Sequence, residues 1–170
     1  MRTEENMETY VELLVTRKKG MKERLLVAAT AVLAVLTAAF GLFINPLGLI
    51  AALILGAVTY FVRLGSDVEF EYLYLSKELT IDRVMSRSKR KRAATYDLER
   101  MEILAPVKSY HLDGFKNRSY KMSDYSSRVK ENAENVYVMI YDGKEKILLE
   151  PNENMIKAIH SIAPRKVFTD

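Results

Sequence analysis

A run of 38 residues without a charged side chain, from Leu25 to Val62, constrains the fold of this chain more than any other stretch. The hydrocarbon core of a bilayer is about 30 Å thick, and about 20 helical residues cross it. The run is therefore too long for one span and suits two, and Asn45-Pro46-Leu47-Gly48 interrupts it near its middle. We predict a transmembrane helical hairpin over residues 25–64, with helices at 25–44 and 46–63 and a very tight loop.

Small residues recur every four positions in both halves of the run. They are Ala34 and Ala38 in the first helix, and Gly48, Ala52 and Gly56 in the second. This spacing lets two helix backbones approach closely in lipid, where packing drives association. Two alternatives stay open: these residues pack helices together, within the hairpin or on another membrane protein, or they are ordinary constituents of a membrane span.

The charges that flank the run predict its orientation. Five basic residues stand before it against one acid, Glu23, and Arg63 and a basic segment follow it, while the connecting turn carries no charge. Because basic residues stay on the cytoplasmic side, we expect a multi-pass protein of the cell membrane with both termini in the cytoplasm.

The N-terminal segment, residues 1–24, has two open interpretations. Met7, Tyr10, Val11 and Leu14 have the spacing of an amphipathic helix. The alternative is a strand from Tyr10 to Val15 that pairs with a later sheet.

After Gly65 the apolar period changes to two, which is typical of half-buried strands. Val68, Phe70, Tyr72 and Tyr74 share one face of the first strand. Further strands are predicted at 78–85, 93–98 and 101–105, and four short strands in succession suggest an antiparallel meander. The chain has no cysteine, which suits a domain in a reducing cytoplasm.

The end of the chain predicts a hairpin and then a helix. Asp142-Gly143 between two apolar segments, 136–141 and 144–149, is the preferred sequence of a two-residue type I′ turn. Met155, Ile156, Ile159 and Ile162 then recur at helical spacing between Asn152 and Pro164. The fold class is therefore α+β: a two-helix transmembrane hairpin and a small antiparallel β domain over residues 65–170, with a C-terminal helix and a pleckstrin-homology-like (PH-like) outline.

Several segments also carry a resemblance to a known family. They are Glu71-Tyr72-Leu73-Tyr74, the segments 77–83 and 88–92, residues 94–106, and the closing Ala163-Pro164-Arg165-Lys166-Val167-Phe168-Thr169-Asp170. The chain resembles a bacterial membrane-protein family of unknown function, similar in layout to proteins with a PH-like domain beside paired membrane helices. The resemblance implies architecture and supplies no activity.

Residues that could support catalysis are few. Ser109, His111 and Asp113 lie within five residues of one another, but a hydrolytic triad is assembled from separate elements. The glycines form no phosphate-binding loop, and the histidines suggest no metal site. We therefore expect no enzyme, no cofactor and no metal.

The strongest functional signal is a cluster of positive charge between the second and third predicted strands. We predict that it is a loop that contacts anionic lipid head groups, where each basic residue is worth about 1 kcal/mol. A solvated loop is the alternative. Nucleic-acid binding is disfavoured, because no binding fold or exposed aromatic platform accompanies the charge. The predicted lipid-binding residues are Arg83, Arg87, Lys89, Arg90, Lys91 and Arg92.

A second candidate is the long polar segment over residues 107–135. Its aromatic residues, Tyr110, Phe115, Tyr120 and Tyr125, argue against simple disorder. They either fold back over the sheet or form a contact surface for a protein partner.

These observations predict a membrane-anchored, non-enzymatic adaptor that contacts anionic lipid and a membrane or cytoplasmic protein, with a homo-oligomer left open. The alternative function is a small accessory subunit of a transporter or secretion complex that assembles through the hairpin.

Overall fold

The structure is a computed structural model, and it describes residues 10–85 and 89–170. Contacts divide the described chain into two compact units. One, the β unit, contains residues 10–17, 69–84 and 90–170. The other, the helical unit, contains residues 18–68 together with 85 and 89. Arg87 lies outside the described residues.

The helical unit is a hairpin of two helices, α1 (Met21–Phe43) and α2 (Leu47–Gly65). Both are long and apolar enough to cross a membrane. The side-chain oxygen of Asn45 accepts the Leu47 N–H at 3.0 Å and so caps the start of α2. Both helices extend beyond the predicted bounds at their outer ends, since α1 begins at Met21 and α2 ends at Gly65. At the start of α1, Glu23 accepts the Gly20 N–H and adds a first turn.

The two helices come closest at a pair of glycines near the turn. A Cβ atom added to Gly48 would lie 2.7 Å from the Cα and N atoms of Gly41, and one added to Gly41 would lie 2.5 Å from the backbone N of Leu49. Gly41 is also the one buried residue of α1. Gly48 of α2 therefore lies against Gly41 of α1, which the four-residue spacing of small residues did not single out.

The β unit contains two four-stranded sheets. The first has the order β1-β2-β3-β4 and the second the order β5-β7-β8-β6. The strands are β1 (Val11–Thr16), β2 (Val68–Leu75), β3 (Glu78–Met85), β4 (Lys89–Asp97), β5 (Met101–Pro106), β6 (Lys121–Asp124), β7 (Tyr137–Tyr141) and β8 (Glu145–Leu149). A C-terminal helix, α3 (Glu153–Ile162), follows, and its apolar stripe is buried at Met155 and Ile159.

The alternating side chains of β2 form the centre of the core. Val68, Phe70, Tyr72 and Tyr74 are all at most 7% exposed, which confirms the predicted inward face. The Tyr72 hydroxyl donates to the Tyr125 carbonyl at 2.8 Å and accepts the Glu150 N–H at 3.3 Å. Burial raises the pKa of this hydroxyl, so it stays protonated and can donate.

Three features of the β unit differ from the predictions. The predicted meander breaks after β4, because the 3₁₀ turn Leu98–Arg100, capped by Asp97, directs β5 into the second sheet. The segment over residues 107–135 contains two 3₁₀ helices and β6, which pairs in parallel with β8. The Asp142-Gly143 turn has both residues at positive φ, but the register pairs Tyr141 with Glu145 and leaves three residues between them.

The described part of the N-terminal segment is a strand. β1 pairs antiparallel with β2 from Val11↔Tyr74 to Thr16↔Glu69. Val15 is buried, whereas Leu14 is 53% exposed. The strand alternative is therefore confirmed for Val11–Thr16. An amphipathic helix through these residues is wrong, because they pair with β2 in the first sheet.

The glycine contact predicts a strong position dependence in the hairpin. Gly48→Ala places a Cβ against the Gly41 backbone, and such overpacking costs about 1–3 kcal/mol. We expect the amides around the turn to exchange with deuterium roughly tenfold faster in detergent micelles. Gly56→Ala is the matched control, because a Cβ there meets nothing within 4 Å. Equal exchange in the two variants would contradict the contact.

Candidate functional site: the basic strand β4

The predicted basic loop is the first half of a strand. Lys89, Arg90, Lys91 and Arg92 are the first four residues of β4, and all four are exposed. The prediction began the strand at Ala93 because a run of like charges has no alternation. Neighbouring acids allow these residues to enter a sheet, since opposite charges stabilise cross-strand pairs. Arg83 is exposed on β3.

The two arginines of β4 pair with acids of two other strands of the same sheet, Glu71 of β2 and Asp82 of the adjacent β3. A terminal guanidinium nitrogen of Arg90 lies 3.0 Å from Oε1 of Glu71, and Nε of Arg92 lies 3.6 Å from Oδ1 of Asp82. The acids are largely buried, with side chains 4% and 15% exposed, whereas both arginine side chains are about two-thirds exposed. Half of the positive charge of Lys89–Arg92 is therefore balanced inside the sheet.

The charge of Glu71 depends on its surroundings. Burial raises the pKa of its carboxyl, and the hydrogen bond that it shares with Glu12 raises it further, while Arg90 acts in the opposite direction. The pKa of Glu12 is lowered, first by the hydrogen bond that it accepts from the Tyr10 hydroxyl at 2.6 Å and then by Glu71. The paired carboxyls thus hold a proton more readily at Glu71 than at Glu12.

The two lysines of β4 have no such partner. Within residues 10–85 and 89–170, no acid lies in ion-pair distance of Lys89, Lys91 or Arg83. These three exposed cations can accept an external anion without first breaking an internal ion pair. Among the described residues, the strand thus presents unpaired positive charge on Lys89 and Lys91. The charges of Arg90 and Arg92 form ion pairs within the sheet.

The aromatic residues of the 107–135 segment mostly pack inward. Phe115 and Tyr120 lie against the core of the second sheet, around Ile103 and Val138. The ring of Tyr125 meets that of Phe70 edge-on, with centroids 5.3 Å apart. Folding back over the sheets therefore accounts for three of the four aromatics. Tyr110 is 66% exposed and is the one aromatic residue of these four that remains accessible to a protein partner.

The side chains considered for catalysis in the sequence have other contacts. Ser109 Oγ accepts the backbone N–H of His111, Asp113 pairs with Lys116 at 2.6 Å, and the His111 ring stacks on Phe168. In the described part of the chain, no three His, Cys, Asp or Glu side chains converge as a metal site would require. His160 is exposed on α3.

The remaining small residues of the hairpin line a shallow groove. Ala34 and Ala38 of α1 and Ala52 of α2 form its floor with Val35, Leu49 and Leu53, around a volume of about 440 Å³. Gly56 has open space beside it. Of the two predicted helix-packing glycines, Gly48 makes a close backbone approach inside the hairpin and Gly56 does not.

Glu71, Asp82 and Gly41 are the functional or packing residues that the sequence analysis did not single out. Glu71 and Asp82 alternate with apolar residues in their strands, so the alternation places them on the face of the sheet opposite the apolar core. Their pairing with Arg90 and Arg92 depends on the strand order, which sequence alternation does not reveal.

The raised pKa of Glu71 predicts a pH-dependent effect of Glu71→Gln. The folded protein binds a proton here more readily than the unfolded chain, so the wild type loses stability relative to the variant as pH rises from the ordinary value of 4.5 through the raised pKa. We expect the melting-temperature difference of the full chain in detergent, followed by tyrosine circular dichroism, to grow from pH 4 to pH 7 in favour of the variant. Exposed Glu131→Gln is the control. A pH-independent difference at Glu71 would contradict the assignment.

Comparison with known proteins agrees with this architecture. The family model described as Bacterial PH-like domain (DUF6106) matches residues 7–169, which include the helical hairpin. No curated protein and no solved structure matches the chain. Because the match spans nearly the whole sequence, the chain belongs to the DUF6106 family of bacterial PH-like domains.

Proposed function

We propose that this protein is a membrane-anchored, non-enzymatic adaptor whose PH-like domain contacts anionic lipid head groups and protein partners. The observation that carries the lipid contact is the pair of exposed lysines on β4, Lys89 and Lys91, which have no internal acid in reach among the described residues. The arginines beside them hold the strand in the sheet.

The membrane anchor is the helical hairpin. Strand β1 precedes the hairpin and β2 follows it, and the register pairs Thr16 with Glu69. Paired strands cannot lie on opposite sides of a bilayer, which supports placing both flanks on one side. The excess of Lys and Arg in those flanks supports placing that side in the cytoplasm of the cell.

The short connection to the hairpin supports a lipid contact. Only two residues separate the end of α2 at Gly65 from the start of β2 at Val68, so a short tether joins the sheet to the proposed membrane anchor. A basic residue near an anionic surface gains about 1 kcal/mol, over a Debye length of about 8 Å at physiological salt. Lys89 and Lys91 together would supply about 2 kcal/mol, which is enough to orient a domain that is already tethered.

The lipid contact can be measured on the full chain in nanodiscs. The chain has no cysteine, so Ala93→Cys carries a single fluorophore on β4, and lipids with a spin label on the head group quench it on approach. We expect stronger quenching with phosphatidylglycerol than with neutral lipid alone, and a decrease with salt. Lys89→Gln with Lys91→Gln should weaken the contact roughly 30-fold, because about 2 kcal/mol is lost.

The matched control neutralises two exposed lysines elsewhere, with Lys130→Gln and Lys144→Gln. It should keep the anionic-lipid quenching, since the effect depends on β4 and not on total charge. Equal quenching in neutral and anionic discs, or equal loss in the control, would refute the proposed contact.

A second candidate function is an accessory subunit of a transporter or secretion complex. The open groove around Ala34, Ala38 and Ala52 favours it, because small residues admit a neighbouring helix in lipid. Gly56→Leu separates the candidates, since a side chain there meets nothing inside the hairpin. An accessory subunit should lose its co-purifying membrane partner, whereas the adaptor should keep its quenching on anionic discs. Loss of a partner with Gly56→Leu would favour the second candidate.

A further inference from the structure

The free edge of β1 lines a groove within the β unit. β1 pairs with β2 on one side and ends the first sheet, so its other edge has no strand partner in the described chain. Four consecutive residues of this strand, Leu13 to Thr16, line the groove, and its other walls come from the 3₁₀ helix Lys130–Asn135 and the start of α3. The volume is about 650 Å³.

The groove has the polar groups that a peptide backbone needs. An edge strand presents backbone N–H and C=O groups that point away from its partner, and an extended chain can pair with them. β1 is six residues long, so at about 3.3 Å per residue it offers roughly 20 Å of edge. Such an edge accommodates a segment of about five or six residues.

The charge of the groove identifies the chemistry of its occupant. Its lining contains three glutamates, Glu134, Glu150 and Glu153, and no lysine, arginine or histidine. Glu150 accepts the Ser127 N–H at 2.9 Å and is tied to the fold, whereas the side chains of Glu134 and Glu153 are more than four-fifths exposed. Both have only long, exposed pairs with Lys108 and Lys157, at 3.6 and 3.4 Å, which an incoming cation can replace at little cost.

Apolar side chains add a second element of selectivity. Ile156 of α3, Val129 and Pro151 lie in the lining, and Ile156 is only half-buried. Successive side chains of a strand point to opposite faces, so a segment bound to β1 would present its residues alternately to the two walls of the groove. A suitable segment therefore combines basic residues with β-branched or other apolar ones.

We propose that the groove between β1 and α3 binds an extended, basic segment of a partner protein, which adds to the first sheet as a fifth strand beside β1. This inference deepens the adaptor role proposed above, since it names the kind of partner and the surface that receives it. The surface is separate from β4, which ends the same sheet at its opposite edge.

The test uses the full chain in nanodiscs of neutral lipid, so that lipid contact by β4 plays no part. A displayed library of random dodecapeptides is selected on the wild type, and the enriched peptide is synthesised for affinity and hydrogen-exchange measurements. We expect enrichment of sequences that combine Lys or Arg with Val, Ile or Leu. The amides of β1 should exchange at least tenfold more slowly when the peptide is bound, because its backbone covers the free edge.

Charge reversal separates the groove from the rest of the surface. Glu134→Lys with Glu153→Lys should weaken binding of the selected peptide at least tenfold, since both residues face it. Glu131→Lys with Asp113→Lys makes the same change in net charge at exposed sites outside the lining, and affinity should stay within twofold. No enrichment, equal loss in both variants, or binding without protection of β1 would overturn the proposal. Loss of lipid contact alone would leave peptide binding intact, so the two proposals fail separately.

Discussion

Strands β1 and β2 pair over six residues although the two apolar helices separate them in the chain. The helical hairpin is therefore an insertion between two paired strands of the PH-like domain. Four residues lie between Thr16 and Met21, and two between Gly65 and Val68, so the chain passes between sheet and helices over short connections. A hairpin that crosses a membrane between two paired strands must enter and leave it on the same side, because paired strands cannot lie on opposite sides of a bilayer.

A set of buried tyrosine hydroxyls joins the two sheets of the β unit. The Tyr72 hydroxyl donates to the Tyr125 carbonyl and accepts the Glu150 N–H. The Tyr96 hydroxyl lies 3.4 Å from Oε1 of Glu145. Burial raises the pKa of the Tyr96 hydroxyl, so both tyrosines remain neutral donors. An unpaired buried hydroxyl is costly, and these partners explain why large polar side chains can occupy the core face of strands. One of these bonds, from the Tyr72 hydroxyl to the Tyr125 carbonyl, also attaches the 107–135 segment to the first sheet.

Local pattern was sufficient for much of this fold, because the relevant signals lie within a few residues. The alternation of Val68 to Tyr74 and the stripe of α3 each report burial directly, and the charge-free run reports two long apolar helices. Strand order, by contrast, depends on contacts between distant segments. Nothing in Met101–Pro106 distinguishes a fourth meander strand from the edge of a second sheet, and nothing in Lys121–Asp124 indicates a parallel pairing with β8. The partners of Glu71, Arg90 and Gly41 were missed for the same reason.

The two edges of the first sheet lie in surroundings of opposite charge. β4 begins with Lys89–Arg92, and charged side chains on an edge strand oppose pairing with other chains. β1 has an apolar inner face and its edge borders a groove lined by glutamates, with no lysine in the lining. The charges of β4 thus oppose strand addition at that edge, whereas the edge of β1 can pair with a strand of complementary charge. A sheet with this asymmetry can contact an anionic surface with one edge and a basic segment with the other, and an adaptor needs two such separate contacts.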